Sequence, residues 1–281
     1  MKKRIRRVIL TADDFGLLPE TTDAVVAGYE SGVITSASLR VNATASHEAI
    51  VAASMRPGLG VGLQLVLCDG VSTLPRRHIP NLVDGAGRFV DRPLEAAWLY
   101  RRSAGLRDEL KSEIRAQIEK FLATGLNLNF ISGHYHLHLH PTVLSVLREL
   151  AEEYPILALR RPCAALARFD SRRGIPDFHS RMESTVLGLM SRWGSLRARG
   201  FISPDRVEVL STSRPAAESE VAARLAAIGA GVTELVCRPG SRMAQFDGVG
   251  EAAVVTSRIV REAITNSGIE PISYRNLVED V

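Results

Sequence analysis

The chain has 281 residues, of which 46% are hydrophobic and 23% charged, with a formal net charge of +4. These fractions are typical of a soluble globular protein and exclude a disordered or fibrous chain. Aromatic residues make up only 5% of the chain, and no basic stripe is interleaved with them, which argues against nucleic-acid binding. The three cysteines are far apart and odd in number, which indicates reduced thiols in a cytoplasmic protein.

The first residues predict neither a secretion signal nor a membrane span. The basic stretch MKKRIRR is followed by only VIL before Thr11 and Asp13, and this apolar run is too short for a signal peptide. We therefore expect a cytoplasmic protein whose basic surface is compatible with peripheral contact with an anionic membrane. The oligomeric state stays open, with a homodimer among the options.

Short β-branched runs alternate with longer amphipathic runs along the chain. In chain order, the sequence predicts the strands RVILTADD, ITSASLRVN, GVGLQLVL, LNLNFISGHYHLHLH, ILALRRP, RVEVLST and VTELVCRPG. Between and after them it predicts the helices PETTDAVVAGYESG, SHEAIVAASMRP with Ser46 as N-cap, LRDELKSEIRAQIEKFLATG, PTVLSVLRELAEEY, AAESEVAARLAAIGAG and EAAVVTSRIVREAITNSG. This β-α alternation predicts a parallel sheet with helices outside, open or closed into a barrel.

Two stretches interrupt the alternation. A loop near 69–105 is rich in Pro, Gly and Arg and is longer than a plain connection, as active-site loops often are. The segment near 163–203 is Arg-rich without clear periodicity, and we treat it as an irregular insertion. We expect the whole of 1–281 to form a single domain that carries both segments.

Asp13 and Asp14 are the last two residues of the first predicted strand, RVILTADD. Ligands of parallel α/β folds bind beyond the carboxyl ends of the strands, so both carboxylates are candidates for the functional site. Adjacent residues at such an end point in different directions, which lets one carboxylate hold a cation while the other acts as a base. A lone Asp at this place more often caps a turn, but two in a row, followed by Phe-Gly, favour function.

Four of the seven histidines, His134, His136, His138 and His140, occupy alternate positions at the end of a predicted strand. Strand residues two apart share a face and lie roughly 6–7 Å apart, so the four would line one wall of a pocket. If the chain turns helical early, His134 and His138 become i, i+4 neighbours instead. Imidazoles beside a carboxylate suit Zn²⁺ or a similar ion and metal-assisted hydrolysis. A purely structural cluster is the remaining alternative.

The segments TADDFGL, GVITSASLRVN, VGLQLVL, SGHYHLHLHP, LRRP and CRPG occur in order over nearly the whole chain. Together they resemble the YdjC-like (ChbG-type) carbohydrate deacetylases, most of all the hopanoid biosynthesis-associated branch. The resemblance implies an α/β, TIM-barrel-like (β/α) barrel, with fewer than eight regular strands as a variant. It also implies hydrolysis of an N-acetyl group from an amino sugar with a divalent metal ion, Zn²⁺ or Mg²⁺. The implied substrate is an N-acetylated sugar or a glycolipid such as a hopanoid-linked N-acetylglucosamine.

The resemblance also implies roles for individual residues. Asp13 matches the general base, and Asp14 and His134 match metal ligands. His136 and His138 match the remaining pocket histidines. In the deacetylase hypothesis, Asn42 and Arg160 join these histidines in orienting a hydroxyl-rich substrate.

The chain departs from the family pattern at two positions. The pattern GLHL supplies a metal-binding His where this chain has Gln64, and the pattern HPG supplies a catalytic His where it has Arg238. A Gln oxygen is a weaker ligand than imidazole for a zinc-like ion. An Arg cannot exchange a proton near neutral pH, but its charge can stabilise an oxyanion. The sequence therefore leaves two readings open: a deacetylase with a weak or absent metal ion, or a catalytically degenerate glycan-binding or regulatory paralogue.

Overall fold

The structure is a computed structural model that describes residues 5–101, 104–162, 193–194, 197–198, 200–210, 217–239 and 249–280. Most of the predicted Arg-rich insertion near 163–203 lies outside these residues. None of the helices in the described ranges combines the length and the apolar character that crossing a membrane requires.

The described residues contain seven strands and nine helices. The strands are β1 (Arg6–Phe15), β2 (Ser36–Leu39), β3 (Gly60–Leu65), β4 (Ile131–Gly133), β5 (Arg206–Val209), β6 (Gly231–Cys237) and β7 (Glu270–Pro271). The helices are α1 (Pro19–Glu30), α2 (Ser46–Ser54), α3 (Pro93–Leu99), α4 (Ala104–Leu122), α5 (Pro141–Leu150), α6 (Glu218–Ala226), α7 (Val249–Thr256), α8 (Arg258–Asn266) and α9 (Tyr274–Glu279). Strands and helices therefore alternate along much of the chain, as the sequence predicts.

All strand pairings in the sheet are parallel, and the strand order is β4-β3-β2-β1-β6-β5, with β7 also beside β1. Single bridges extend the sheet past β4, from Ile131 to Leu159 and from Ala158 to Ile202. The sheet curls into a half-barrel with helices packed around it. The predicted α/β barrel-like fold is confirmed, and parallel pairing puts the carboxyl ends of the strands at one edge.

The two faces of β1 have different surroundings, because successive side chains of a strand point to opposite faces. Val8, Leu10 and Ala12 belong to the main hydrophobic core, which includes residues of most of the surrounding helices. Ile9 belongs to a second, smaller cluster. Asp13, on the same face as Ile9, is buried and only 4% exposed. The strand thus holds a carboxylate inside the protein, where it needs a partner.

Helix ends follow the local signals in most cases. Pro19 and Pro141 stand in the first turns of α1 and α5, where a missing N–H costs nothing. Gly32 follows α1 with φ +79°, the left-handed conformation that glycine adopts without strain. In α4, Ile114, Ile118 and Phe121 are fully buried, as their spacing predicts.

Several boundaries differ from the prediction. Ser46 is the first residue of α2 rather than its N-cap, which is Ala45. The final predicted helix is two helices, because Ser257 leaves the helical conformation and caps α8 through the N–H of Val260. The predicted loop near 69–105 contains α3. The helix α9 was not predicted, although Ser273 and Asn276 form a capping box before it.

The strand prediction for the histidine run was wrong. The strand β4 ends at Gly133, and His134–Leu139 forms a tight turn of the 3-10 type. Inside this turn Tyr135 and His136 have φ of 51° and 57°, a left-handed conformation that is rare for residues other than Gly. The histidines therefore do not share one face of a strand.

Candidate active site

Polar side chains from the ends of neighbouring strands meet at the carboxyl edge of the sheet. They are Asp13 and Asp14 of β1, Arg40 after β2, Gln64 of β3, His134 after β4, Arg160 after the bridge at Leu159, and Arg238 after β6. These seven groups meet because the strands are parallel, which brings their last residues together.

A local irregularity in β1 separates the two adjacent aspartates. The register against β2 shifts between Ala12 and Phe15, and Asp14 has φ 60°. Bulges of this kind re-aim side chains next to functional sites, and Asp tolerates the left-handed conformation better than most residues. The carboxylates of Asp13 and Asp14 consequently have different partners.

Asp13 belongs to a buried charge network centred on Arg160. Arg160 Nη1 donates to both carboxylate oxygens of Asp13 at 2.8 Å, and its Nε donates to Glu234 Oε1 at 2.9 Å. Glu234 also accepts hydrogen bonds from Thr11 Oγ1 and Tyr274 Oη, both at 2.7 Å. The nearby carboxylates raise the pKa of Arg160 despite its burial. This network fixes Asp13 in position and makes Arg160 a partner of that carboxylate.

Asp14 is held by a second set of donors. Its backbone N–H donates to Gln64 Oε1 at 2.7 Å, and Gln64 Nε2 donates back to Asp14 Oδ1 at 3.0 Å. Arg40 Nη1 lies 3.4 Å from Oδ1 and Arg238 Nε lies 4.0 Å from Oδ2. Burial alone would raise the pKa of Asp14, but Arg238 and Arg40, with His134 and Gln64, hold it below its usual value. Asp14 is thus a buried, ionised carboxylate between two guanidinium groups.

His134 links this carboxylate to the loop after β3. Its Nε2 lies 3.7 Å from Asp69 Oδ2, and Tyr135 Oη donates to the same oxygen at 3.4 Å. Burial lowers the pKa of His134, although Asp69 and Asp14 oppose that shift. The contact with His134 in turn lowers the pKa of Asp69. His134 is therefore neutral at pH 7 and can offer a nitrogen lone pair.

The other three histidines have separate environments. His138 is fully buried and its Nε2 donates to the Arg160 carbonyl at 2.8 Å, so its second nitrogen is the acceptor. His140 Nδ1 accepts from the Thr142 N–H at 3.3 Å and caps α5. Burial lowers the pKa of both to about 4. Burial also lowers the pKa of His136 well below its usual value, and its Nδ1 is buried without a hydrogen-bond partner.

The side-chain amide of Asn42 is used in hydrogen bonds within the protein. Its Nδ2 donates to the Val71 carbonyl at 3.2 Å and to Thr73 Oγ1 at 2.8 Å, and its Oδ1 accepts from Lys120 Nζ at 2.9 Å. Both N–H donors therefore hold the loop after β3, and the amide oxygen holds the last turn of α4. Its role in substrate binding remains a prediction from the resemblance.

Sequence reasoning missed three charged residues of these networks. Glu234 was visible as a charged residue inside the apolar strand VTELVC, and such a residue needs a buried cation as partner. Arg40 lies near the end of the predicted strand ITSASLRVN, and Asp69 follows the predicted strand GVGLQLVL by two residues. Position near a strand end is the same signal that identified Asp13 and Asp14. The proximity of Arg40 and Asp69 to Asp14 and His134 depends on the order of the strands.

The divalent metal ion that the resemblance implies does not fit these side chains. Zinc sites take at least three protein ligands from Cys, His, Asp and Glu. Within the described ranges, no three such side chains are grouped so that they could hold a metal ion. The expected third ligand, Gln64, uses its amide oxygen to accept the N–H of Asp14. Asp14 already has two cationic neighbours, Arg40 and Arg238.

Comparison with known proteins supplies the family of this fold and site. The sequence profile of the family described as "YdjC-like protein" matches residues 7–266. This chain belongs to the YdjC-like family. The family match includes every candidate residue described above.

Two curated relatives carry the name carbohydrate deacetylase. The protein of Brevibacillus brevis is 37% identical over 153 residues, which are 53% of this chain and 57% of the relative. The protein of Geobacillus stearothermophilus is 37% identical over 157 residues, or 55% of this chain and 60% of the relative. The alignments thus span less than two thirds of the length of these relatives.

One solved structure is similar over nearly all of the chain. It is a putative cellobiose-phosphate cleavage protein from Enterococcus faecalis, with a TM-score of 0.71 and 23% identity, covering 97% of this chain and 99% of that one. At this identity the likeness supports the fold alone. The hopanoid-associated branch remains a prediction from the sequence.

Proposed function

We propose that this YdjC-like protein is a carbohydrate deacetylase that hydrolyses the acetamido group of an N-acetylated amino sugar. The observation that carries the proposal is the Asp13 carboxylate, fixed by Arg160 at the carboxyl edge of the sheet beside the Asp14 cluster. The names of the two curated relatives support the substrate class. The finer proposal, a hopanoid-linked N-acetylglucosamine, rests on the sequence resemblance.

In this reaction Asp13 takes a proton from a water molecule whose oxygen forms a bond with the acetyl carbonyl carbon. A carboxylate has lone pairs beyond those that Arg160 occupies, so the hydrogen bonds from Arg160 leave room for a water proton. The carbonyl oxygen gains negative charge, which the partly exposed guanidinium of Arg238 stabilises. The C–N bond then breaks as the nitrogen takes the proton that Asp13 had accepted. The free amine and acetic acid, which ionises to acetate, then leave.

The second candidate is a glycan-binding protein without hydrolytic activity. The observation that favours it is the pair of hydrogen bonds between Gln64 and Asp14, which uses both the amide oxygen and the amide nitrogen of Gln64. A divalent metal ion that took both Gln64 and Asp14 as ligands, as the sequence predicts, would have to break this pair. Sugar binding without release of acetate distinguishes this candidate from the first.

The test is acetate release from N-acetylglucosamine oligomers and from an N-acetylglucosaminyl glycolipid, with Zn²⁺, Mg²⁺, Mn²⁺ or Co²⁺ added and with a chelator. We expect release from wild type and a loss of about 100-fold or more in Asp13→Asn, within the range that general-base catalysis contributes. His47→Ala, an exposed change on α2, should behave as wild type. No acetate from any substrate under any of these conditions, with binding retained, would leave the glycan-binding candidate.

A further inference from the structure

The charge at Asp14 is already balanced by side chains of this chain. Arg40 lies 3.4 Å from one carboxylate oxygen and Arg238 lies 4.0 Å from the other. The side chains of Arg40 and Asp14 are 7% and 4% exposed, whereas that of Arg238 is 29% exposed. Two fixed guanidinium groups thus share one buried carboxylate. A divalent cation at Asp14 would face both at short range, where repulsion is strong because little water screens it.

Most of the nitrogen and oxygen atoms near Asp14 that could bind a metal ion already take part in hydrogen bonds. The amide oxygen of Gln64 accepts a hydrogen bond from the Asp14 N–H, and its NH₂ group donates one to the Asp14 carboxylate. What Gln64 still offers to another group is therefore an N–H donor. His138 bonds to the Arg160 carbonyl and His140 caps α5. Of the three residues that the sequence assigns to a metal ion, only Asp14 and His134 remain, one carboxylate and one imidazole, fewer than the three protein ligands of a typical zinc site.

We propose that this site works without a divalent metal ion, with the guanidinium groups of Arg238 and Arg40 supplying the positive charge beside Asp14. Arg40 is buried and also donates to the Asp69 carbonyl at 3.3 Å, so it neutralises Asp14 and fixes the loop after β3. Arg238 has the more exposed side chain, and its planar N–H donors suit an oxyanion or a carboxylate. The acyl oxygen of a bound acetamido group, or the acetate product, is the matching ligand.

The proposal that the site needs no metal ion rests on the contacts around Asp14 alone. The role of Arg238 on the acyl oxygen rests on the proposed function. Zinc binding and acetate release are therefore measured separately, so that failure of one is distinguishable from failure of the other.

The experiment compares zinc binding by the full-length wild type with that by the double variant Gln64→His/Arg238→His. Each protein is stripped with a chelator, dialysed against Zn²⁺ alone and analysed for bound metal and for affinity by calorimetry. The double variant removes the guanidinium group of Arg238 and the hydrogen bonds between Gln64 and Asp14. It adds two imidazoles beside Asp14 and His134. Arg115→His adds a histidine at an exposed ion pair on α4 and is the matched control.

We expect no stoichiometric zinc on wild type or on Arg115→His and one equivalent on the double variant. The gain in affinity should exceed the roughly 10–100-fold that changes outside the ligand shell produce. One equivalent on wild type that is lost in His134→Ala would overturn the proposal. Zinc on neither protein would also overturn it, because Gln64 and Arg238 would then not be what excludes the ion.

If the double variant does not fold, Arg238→Ala replaces it, since this change only shortens a partly exposed side chain. Stronger zinc binding by Arg238→Ala than by wild type supports the proposal, and equal binding contradicts it. Acetate release adds a second measurement: activity of wild type that a chelator leaves unchanged supports the proposal, and activity that the chelator abolishes and Zn²⁺ restores overturns it. If wild type releases no acetate but the zinc results hold, the metal-free site stands and the proposed hydrolysis fails.

Discussion

Replacement of Arg160 by Met tests the buried charge network at its centre. The side chain of Arg160 is 1% exposed, and its partners Asp13 and Glu234 are 6% and 0% exposed. Met has a similar length but no charge, so Arg160→Met leaves two carboxylates buried without their cation. Breaking a buried ion pair by removing one partner costs about 3–5 kcal/mol. That is a large share of the roughly 5–15 kcal/mol by which a typical domain is stable.

The assay is urea unfolding at pH 7, followed by circular dichroism. Arg115→Met is the control, because Arg115 pairs with Glu153 at 2.9 Å but both side chains are more than one third exposed. We expect this exposed pair to contribute about 0–1 kcal/mol. Adding Asp13→Asn and Glu234→Gln to Arg160→Met should recover part of the loss, because the two buried charges are then removed. Equal, small losses for Arg160→Met and Arg115→Met would refute the reasoning.

Two further predictions concern His140 and the loop after β3. Because burial lowers the pKa of His140 to about 4, the unfolded chain binds a proton between pH 6.5 and 4 that the folded chain does not, and stability falls as pH falls through this window. His140→Asn, which keeps a capping side chain for α5, should reduce that slope by about 1.4 kcal/mol per pH unit in urea titrations; an unchanged slope would contradict the assignment. Glu113 accepts the N–H groups of Thr73 and Leu74 at 2.8 and 2.9 Å, so Glu113→Ala should speed hydrogen exchange of these amides, whereas Glu119→Ala on the same helix should leave them unchanged.

The β-α pattern of the sequence was sufficient to predict a parallel sheet with helices outside, and the family resemblance added the barrel-like form. Pro19 near the first turn and Gly32 after the last marked α1 correctly, and Gly125 marked the end of α4, because the signals that begin and end a helix lie within a few residues of it. The same pattern put Asp13, Asp14 and His134 near strand ends. Parallel strands share the edge at which they end, so their meeting followed from the fold class alone.

The histidine run shows where local pattern fails. Alternate spacing of His134, His136, His138 and His140 is typical of a strand, yet β4 ends at Gly133 and the chain turns through left-handed Tyr135 and His136. For His138 the cause is tertiary, because its ring is bound to the Arg160 carbonyl. For His140 it is local, because its ring caps the first turn of α5. Such contacts outweigh a local preference that is worth little per residue.

The sequence by itself determined the parallel α/β fold, the edge of the sheet that carries the site and the two positions, Gln64 and Arg238, where the chain departs from the family pattern. Only the tertiary structure decided what surrounds each carboxylate. Arg160 is 147 residues from Asp13 and 74 from Glu234 in the chain, and Arg238 reaches Asp14 because β6 pairs with β1. The charge balance of a buried group depends on such neighbours in space, which strand order fixes and residue spacing does not.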